Sequence, residues 1–332
     1  MKKKFLIILL GCLFLTGCGS KSEKNVLKKI TKNIEDSKSY YVEGTMELIN
    51  NEDIFTYDVT SSYEKKDNYK IELTNISNNH KQIILRNEDG VYVVTPSLNK
   101  SFKFQSDWPY NNSQVYLLQS VIEDINNDEK KTFEKKDDKY IFTSKVNYPN
   151  NDKLTKQIVT VNKDYKIEKV EVVDKDNNTQ ITMKYNKIDL NSKFNDDYFE
   201  LDELIDDKEE IDTKETATLD DIIYPMYLPV NTYLSSQESI NTASGKRLIL
   251  TFDGDNPFTL IEEVAITDEE HEIIPTYGEL ELLGDSIAVV NDNSVNWISN
   301  GIEYFVVSNV MDSNELLEVA KSISVIPVAS VK

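Results

Sequence analysis

The sequence predicts an α+β protein of two domains, each built mainly on antiparallel strands. Three observations carry this: long stretches in which apolar and polar residues alternate, three isolated helical stripes, and one acidic break past the middle of the chain.

The elements follow in order. Leu27, Ile30 and Ile34 recur at helical spacing with Lys28, Lys29 and Lys32 off the stripe, which predicts an opening helix. Period two then takes over. Tyr40, Val42, Met46 and Leu48 alternate with Tyr41, Glu43, Thr45 and Glu47; Phe55, Tyr57, Val59 and Tyr63 do the same, as do Tyr69, Ile71 and Leu73. Such strands bury one face and wet the other. Asn and Asp clusters at 50–53, 77–79 and 87–90 supply turns. Further strands are predicted around 91–95, 102–105, 140–146, 154–161, 167–173 and 180–185. One helix interrupts them, with Val115, Leu118, Ile122 and Ile125 as its stripe and Ser113 as its cap. Residues 205–217 are acidic and aromatic-poor, which predicts a linker between a first domain at 24–204 and a second at 218–332. The second domain shows strands near 247–252, 261–266, 287–290 and 304–308. It closes on a helix with Asp312 and Glu315 at capping-box spacing.

The chain opens with Lys2, Lys3 and Lys4, then runs apolar from Phe5 to Leu15. That is a secretory leader, too short to span a hydrocarbon layer of about 30 Å. Leu15-Thr16-Gly17 leads directly into Cys18, which resembles a lipobox. The expectation is a signal peptide at 1–17, cleavage before Cys18, diacylglycerol and palmitate-type chains on that cysteine, and a tether at 18–23. The mature protein would then sit on the outer face of the cytoplasmic membrane, because two or three acyl chains hold far better than one. Removing 1–17 takes three lysines and no acid, so the formal charge moves from −21 to −24. A body this acidic disfavours nucleic acid and is repelled by anionic headgroups.

Cys12 and Cys18 are the only cysteines, one in the leader and one under lipid, which leaves no disulfide framework and no thiol nucleophile. No cofactor is expected: His80 and His271 are too few for a histidine metal site, and no phosphate-cradling glycine loop appears. Asp174-Lys175-Asp176-Asn177-Asn178 imitates the start of a calcium loop, but Thr179 and Tyr185 stand where Gly and Glu are needed, so it reads as a turn. His271, among glutamates, reads as a solvated loop residue. Trp108 and Trp297 read as core residues, with partner contact as the alternative.

The leading helix, the Tyr41-Val42-Glu43-Gly44-Thr45 strand, Gly90 to Ser97, Phe102, Trp108 and Leu117-Leu118 resemble, in that order, the LolA and RseB lipoprotein-handling family, including Gram-positive lipoproteins of the GerS type. Tyr224-Pro225-Met226-Tyr227-Leu228-Pro229, Trp297 to Tyr304 and Ala320 to Ile323 resemble the C-terminal domain of RseB. The resemblance implies an open antiparallel half-barrel with lid helices, followed by a smaller α+β domain. It implies a non-catalytic binding or regulatory partner, for example of a cell-wall or spore-cortex enzyme in germination, or of an envelope-sensing pathway. A carrier for acyl chains or lipoproteins is the alternative, and an uncharacterised hydrolase comes third. Val42, Met46, Tyr57, Val59, Ile71, Leu118 and Ile122 are the inward candidates. They either fill a core or line an apolar concavity for an acyl chain, each methylene contributing about 0.8 kcal/mol.

Overall fold

The computed structural model describes residues 22–50, 53–206, 219, 222–242, 245–266 and 271–323. The leader, Cys18 and most of the acidic break lie outside them.

Helix α1 (Glu23–Glu35) opens the first domain, with Val26, Leu27, Ile30 and Ile34 buried. Strands β1 (Ser39–Asn50), β2 (Asp53–Glu64), β3 (Asn68–Asn75), β4 (Lys81–Asn87), β5 (Gly90–Thr95) and β6 (Lys100–Phe104) form an antiparallel meander. After helix α2 (Leu118–Asn127) come β7 (Thr132–Lys136), β8 (Lys139–Lys145), β9 (Lys156–Val161), β10 (Ile167–Val173) and β11 (Thr179–Leu190), and β11 pairs back onto β1. The register of β1 on β11 shifts between Glu43 and Gly44, and such a bulge bends a strand. Gly44 is required there, because a Cβ would stand 2.3 Å from the Lys184 carbonyl oxygen. Both helices pack on one face of this sheet with Tyr40, Val42, Met46 and Met183. On the opposite face Phe194, Tyr198, Phe199 and the short helix α3 (Leu201–Asp206) cover Ile83, Leu85, Tyr92 and Val94.

The second domain holds β12 (Thr232–Thr242), β13 (Gly245–Gly254), β14 (Phe258–Val264), β15 (Glu272–Thr276), β16 (Glu279–Leu283), β17 (Ser286–Asn291), β18 (Ser294–Ser299), β19 (Ile302–Val307) and helix α4 (Ser313–Lys321). Seven of these strands form an antiparallel sheet in the order β12-β13-β14-β19-β18-β17-β16, and α4 lies against it. Asp312 caps α4, its carboxylate accepting the Glu315 N–H at 2.9 Å. The fold class is the one the sequence predicts: sheet-dominated α+β, with an open antiparallel sheet and a second, smaller sheet.

The two domains share elements. Strand β15 leaves its own domain and pairs in parallel with β6, making a twelve-stranded first sheet. Strand β17 divides its side chains between two cores: Ile287 and Val289 pack with the first, Ala288 and Val290 with the second. Period two therefore serves burial on both faces.

Four local readings are corrected or sharpened. Ser113 does not cap α2, which begins at Leu118 without a side-chain cap. Val115, Tyr116 and Leu117 are all buried, and three consecutive residues cannot share one helix face, so the chain turns there instead. Ser113 accepts the Asn147 N–H at 2.8 Å. His271 is not a solvated loop residue: its ring lies 2.9 Å from the Ser101 hydroxyl and 3.3 Å from the Asn99 side-chain oxygen, at the join of β15 and β6. Trp108 and Trp297 are both buried. Asp174 closes its turn by accepting the Asp176 and Asn178 N–H groups.

Candidate functional site

The seven inward candidates Val42, Met46, Tyr57, Val59, Ile71, Leu118 and Ile122 are all within 3% of complete burial and belong to one cluster. None of them lines the cleft that opens beside that cluster where the two domains meet. Cys18 lies outside the described residues.

The cleft has a cavity volume of about 110 Å³. The end of β1 brings Leu48 and Asn50, the start of β11 brings Ile181, and the turn before α2 brings Val115 and Tyr116. The 148–154 loop adds Tyr148, Asn151, Lys153 and Leu154. The second domain closes it with Leu280, Glu281 and Leu282 of β16 and with Glu318 and Lys321 of α4. Leu280 and Leu282 of β16 pack with the first core and Leu283 with the second, while Glu281 lies within the field of Lys321 on α4.

Charge gathers at one end of this apolar space. Lys153 of the first domain contacts the Glu318 carboxylate of the second, and Lys321 lies 3.4 Å from the same carboxylate. Burial pushes Glu318 up, but the Lys153 hydrogen bond and both ammonium charges outweigh it and hold the group below its usual value. Glu281 is buried and accepts a hydrogen bond from the Asn150 side chain at 3.2 Å; loss of water raises its pKa to about 7. Burial lowers Lys321, against the pull of Glu318 and Glu281. Tyr148 and Tyr116 are raised by burial.

Among the described residues no group of three or more His, Cys, Asp and Glu side chains could hold a metal ion. The cleft joins apolar walls to a partly desolvated set of charges at one end. The sequence reading missed Glu281, Glu318, Lys321 and Lys153. Alternation around Glu281 signals an ordinary half-wet strand, and nothing local reveals that α4 covers its polar side.

The geometry defines the class first: a two-sheet α+β protein with a cleft at the joint between the sheets. The chain belongs to the Sporulation protein YdcC-like family, whose model matches residues 2–199. It is 33% identical over 340 residues to Sporulation protein YdcC of Bacillus subtilis (strain 168), the match covering 97% of each chain. Among solved structures it is similar to the Pseudomonas aeruginosa MucA/MucB complex, at 11% identity over 90% of this chain and 97% of that one, with a TM-score of 0.32. A putative outer membrane lipoprotein-sorting protein domain from Vibrio parahaemolyticus matches at 13% identity, 54% and 97% coverage and a TM-score of 0.34. The CwlD amidase–GerS lipoprotein complex of Clostridioides difficile matches at 20% identity, 53% and 98% coverage and a TM-score of 0.22.

Proposed function

We propose that this chain is a membrane-anchored, non-catalytic lipoprotein of the cell envelope that binds a protein partner during sporulation or germination. The observation that carries the reading is the cleft between the domains, an apolar wall ending in Lys153, Glu318, Lys321 and buried Glu281. The Leu15-Thr16-Gly17-Cys18 sequence supports the anchor, and the sporulation name of the family and of its Bacillus relative supports the setting. Lipid on Cys18 would hold at the membrane a body whose charge otherwise repels it.

The test uses the tagged full chain, purified in mild detergent from its own membranes. A discrete protein co-purifies with wild type and is lost from Asn151→Trp, which plugs the cleft mouth without burying a charge. A partner retained equally by both, or none with either, contradicts the reading.

The apolar lining, with Leu48, Val115, Leu154, Ile181 and Leu280, favours a second reading as an acyl-chain or lipoprotein carrier. Saturable uptake of a fluorescent fatty acid by wild type, absent from Asn151→Trp, would promote it over the first.

A further inference from the structure

Among the described residues, strand β12 is the free edge of the second sheet, eleven residues long and hydrogen-bonded on one side only, to β13. None of its residues is buried, so both of its faces meet solvent. Over residues 233–241 such an edge presents a row of outward backbone N–H and C=O groups with no ladder partner among the described residues. Natural edge strands are usually blunted by Lys, Pro or short length. This one is long, contains neither Lys nor Pro, carries Glu238 as its only charge, and has one irregularity, between Leu234 and Ser236.

Apolar surface gathers at the same place. Fifteen large apolar side chains are exposed among the described residues, and eight of them fall between Tyr224 and Ile240. Met226 is 86% exposed, Val230 78% and Tyr233 60%. The 224–230 segment is held beside the strand, the Tyr224 hydroxyl donating to the Gln237 side-chain oxygen at 2.9 Å. A concentration of this kind marks an interaction surface, unlike singly scattered residues.

The charges nearby set the partner's chemistry. Asp253 stands opposite Tyr233, and Asp255 adjoins Asn231 at 2.8 Å. Arg247 is taken up by Glu263 at 2.5 Å, and Lys246 reaches the Leu219 carbonyl at 3.4 Å. Lys246 keeps its charge, but Glu238, Asp253 and Asp255 outnumber it, so the field over the edge is negative. A bilayer fits poorly, since hydrocarbon would leave the backbone row unsatisfied and anionic headgroups would repel the acids.

We propose that β12 docks an extended segment of a protein partner, which adds a strand to this edge, lays apolar side chains on the Met226–Val230–Tyr233 patch, and carries Lys or Arg at its ends. The surface shares no residue with the cleft lining, so it stands or falls separately from the cleft reading.

The probe is a fluorescent peptide of alternating Val and Thr with Lys at both ends, titrated against the purified full chain. Saturable binding is expected, weakened about tenfold or more when Glu replaces both terminal Lys, and likewise by Ile240→Lys. Ile240 is exposed, so that variant keeps the wild-type melting temperature. Absence of saturable binding overturns the proposal. So does equal binding of the Glu-ended peptide, undiminished binding by Ile240→Lys, or co-sedimentation with phosphatidylglycerol vesicles that Ile240→Lys abolishes while the peptide does not bind.

Discussion

The Tyr57 hydroxyl of β2 donates a hydrogen bond to the Gly284 carbonyl, 2.5 Å away in the β16–β17 turn, across the boundary between the two sheets. Two more bonds run in parallel with it: the Asn50 side chain donates to the Lys321 carbonyl at 3.0 Å, and the Gln82 side-chain oxygen accepts the Ile287 N–H at 2.7 Å. Each ends on the backbone of the second domain. The joint that frames the cleft is thus fixed by directional contacts as well as by shared apolar burial.

Tyr57→Phe keeps the ring in the first core and removes only the donor. The Gly284 carbonyl loses a buried partner, which costs about 1–3 kcal/mol. Chemical denaturation should register that loss at unchanged slope; a variant as stable as wild type would show that the bond contributes nothing.

Glu281 gives the joint a pH dependence. Its pKa is raised from 4.5 to about 7, chiefly by burial, and Asp124 and Glu262 are raised by burial in the same direction. For a carboxyl raised on folding, the native state holds the proton more tightly than the unfolded chain. Its stabilising contribution is fully present below about 4.5 and is lost as pH rises through about 7. Melting temperature should therefore fall across that window, and Glu281→Gln should flatten the fall. An unchanged slope in that variant would assign the effect elsewhere.

Cleavage within the acidic 205–217 segment should leave one body. That sequence has little apolar material to bury and is the expected first site of proteolysis. Yet β15 is hydrogen-bonded into the first sheet, and Leu280, Ile287 and Val289 pack in the first core. Nicked protein should elute with the intact protein on size exclusion and separate only in denaturant. Two independently eluting fragments would contradict the shared sheet.

Cys18→Ala should release the protein from the membrane or leave it as an uncleaved precursor, since position 18 then has no thiol to take the lipid. Fractionation and gel migration identical to wild type would refute the anchor.

Much of the first sheet was legible, and the reasons are local. Residues 40–48 alternate cleanly because one face of β1 meets the core and the other is partly exposed, and 55–60 of β2 follow the same pattern until Ser62 is covered by Tyr198. Strand β12 was not legible, since a strand wet on both faces leaves no alternation to read. Strand β15 hid for two reasons: Pro275 interrupts it, and its partner β6 lies far back in the chain. The cleft was the least legible feature. Leu48, Tyr148, Ile181, Glu281 and Lys321 come from five separate segments, and only the docking of β16 and α4 onto the first sheet brings them together. Leu280 and Glu281 are both buried, because neighbouring residues of an edge strand there point into two different covered spaces.

The most direct measurement places a photo-crosslinking amino acid at Asn151, at the cleft, in the full lipidated chain, and irradiates it in its native membrane. The account predicts a discrete protein adduct, diminished when Lys153→Glu alters the charged end of the cleft. Adducts to lipid alone, or none, would contradict a protein partner in this cleft.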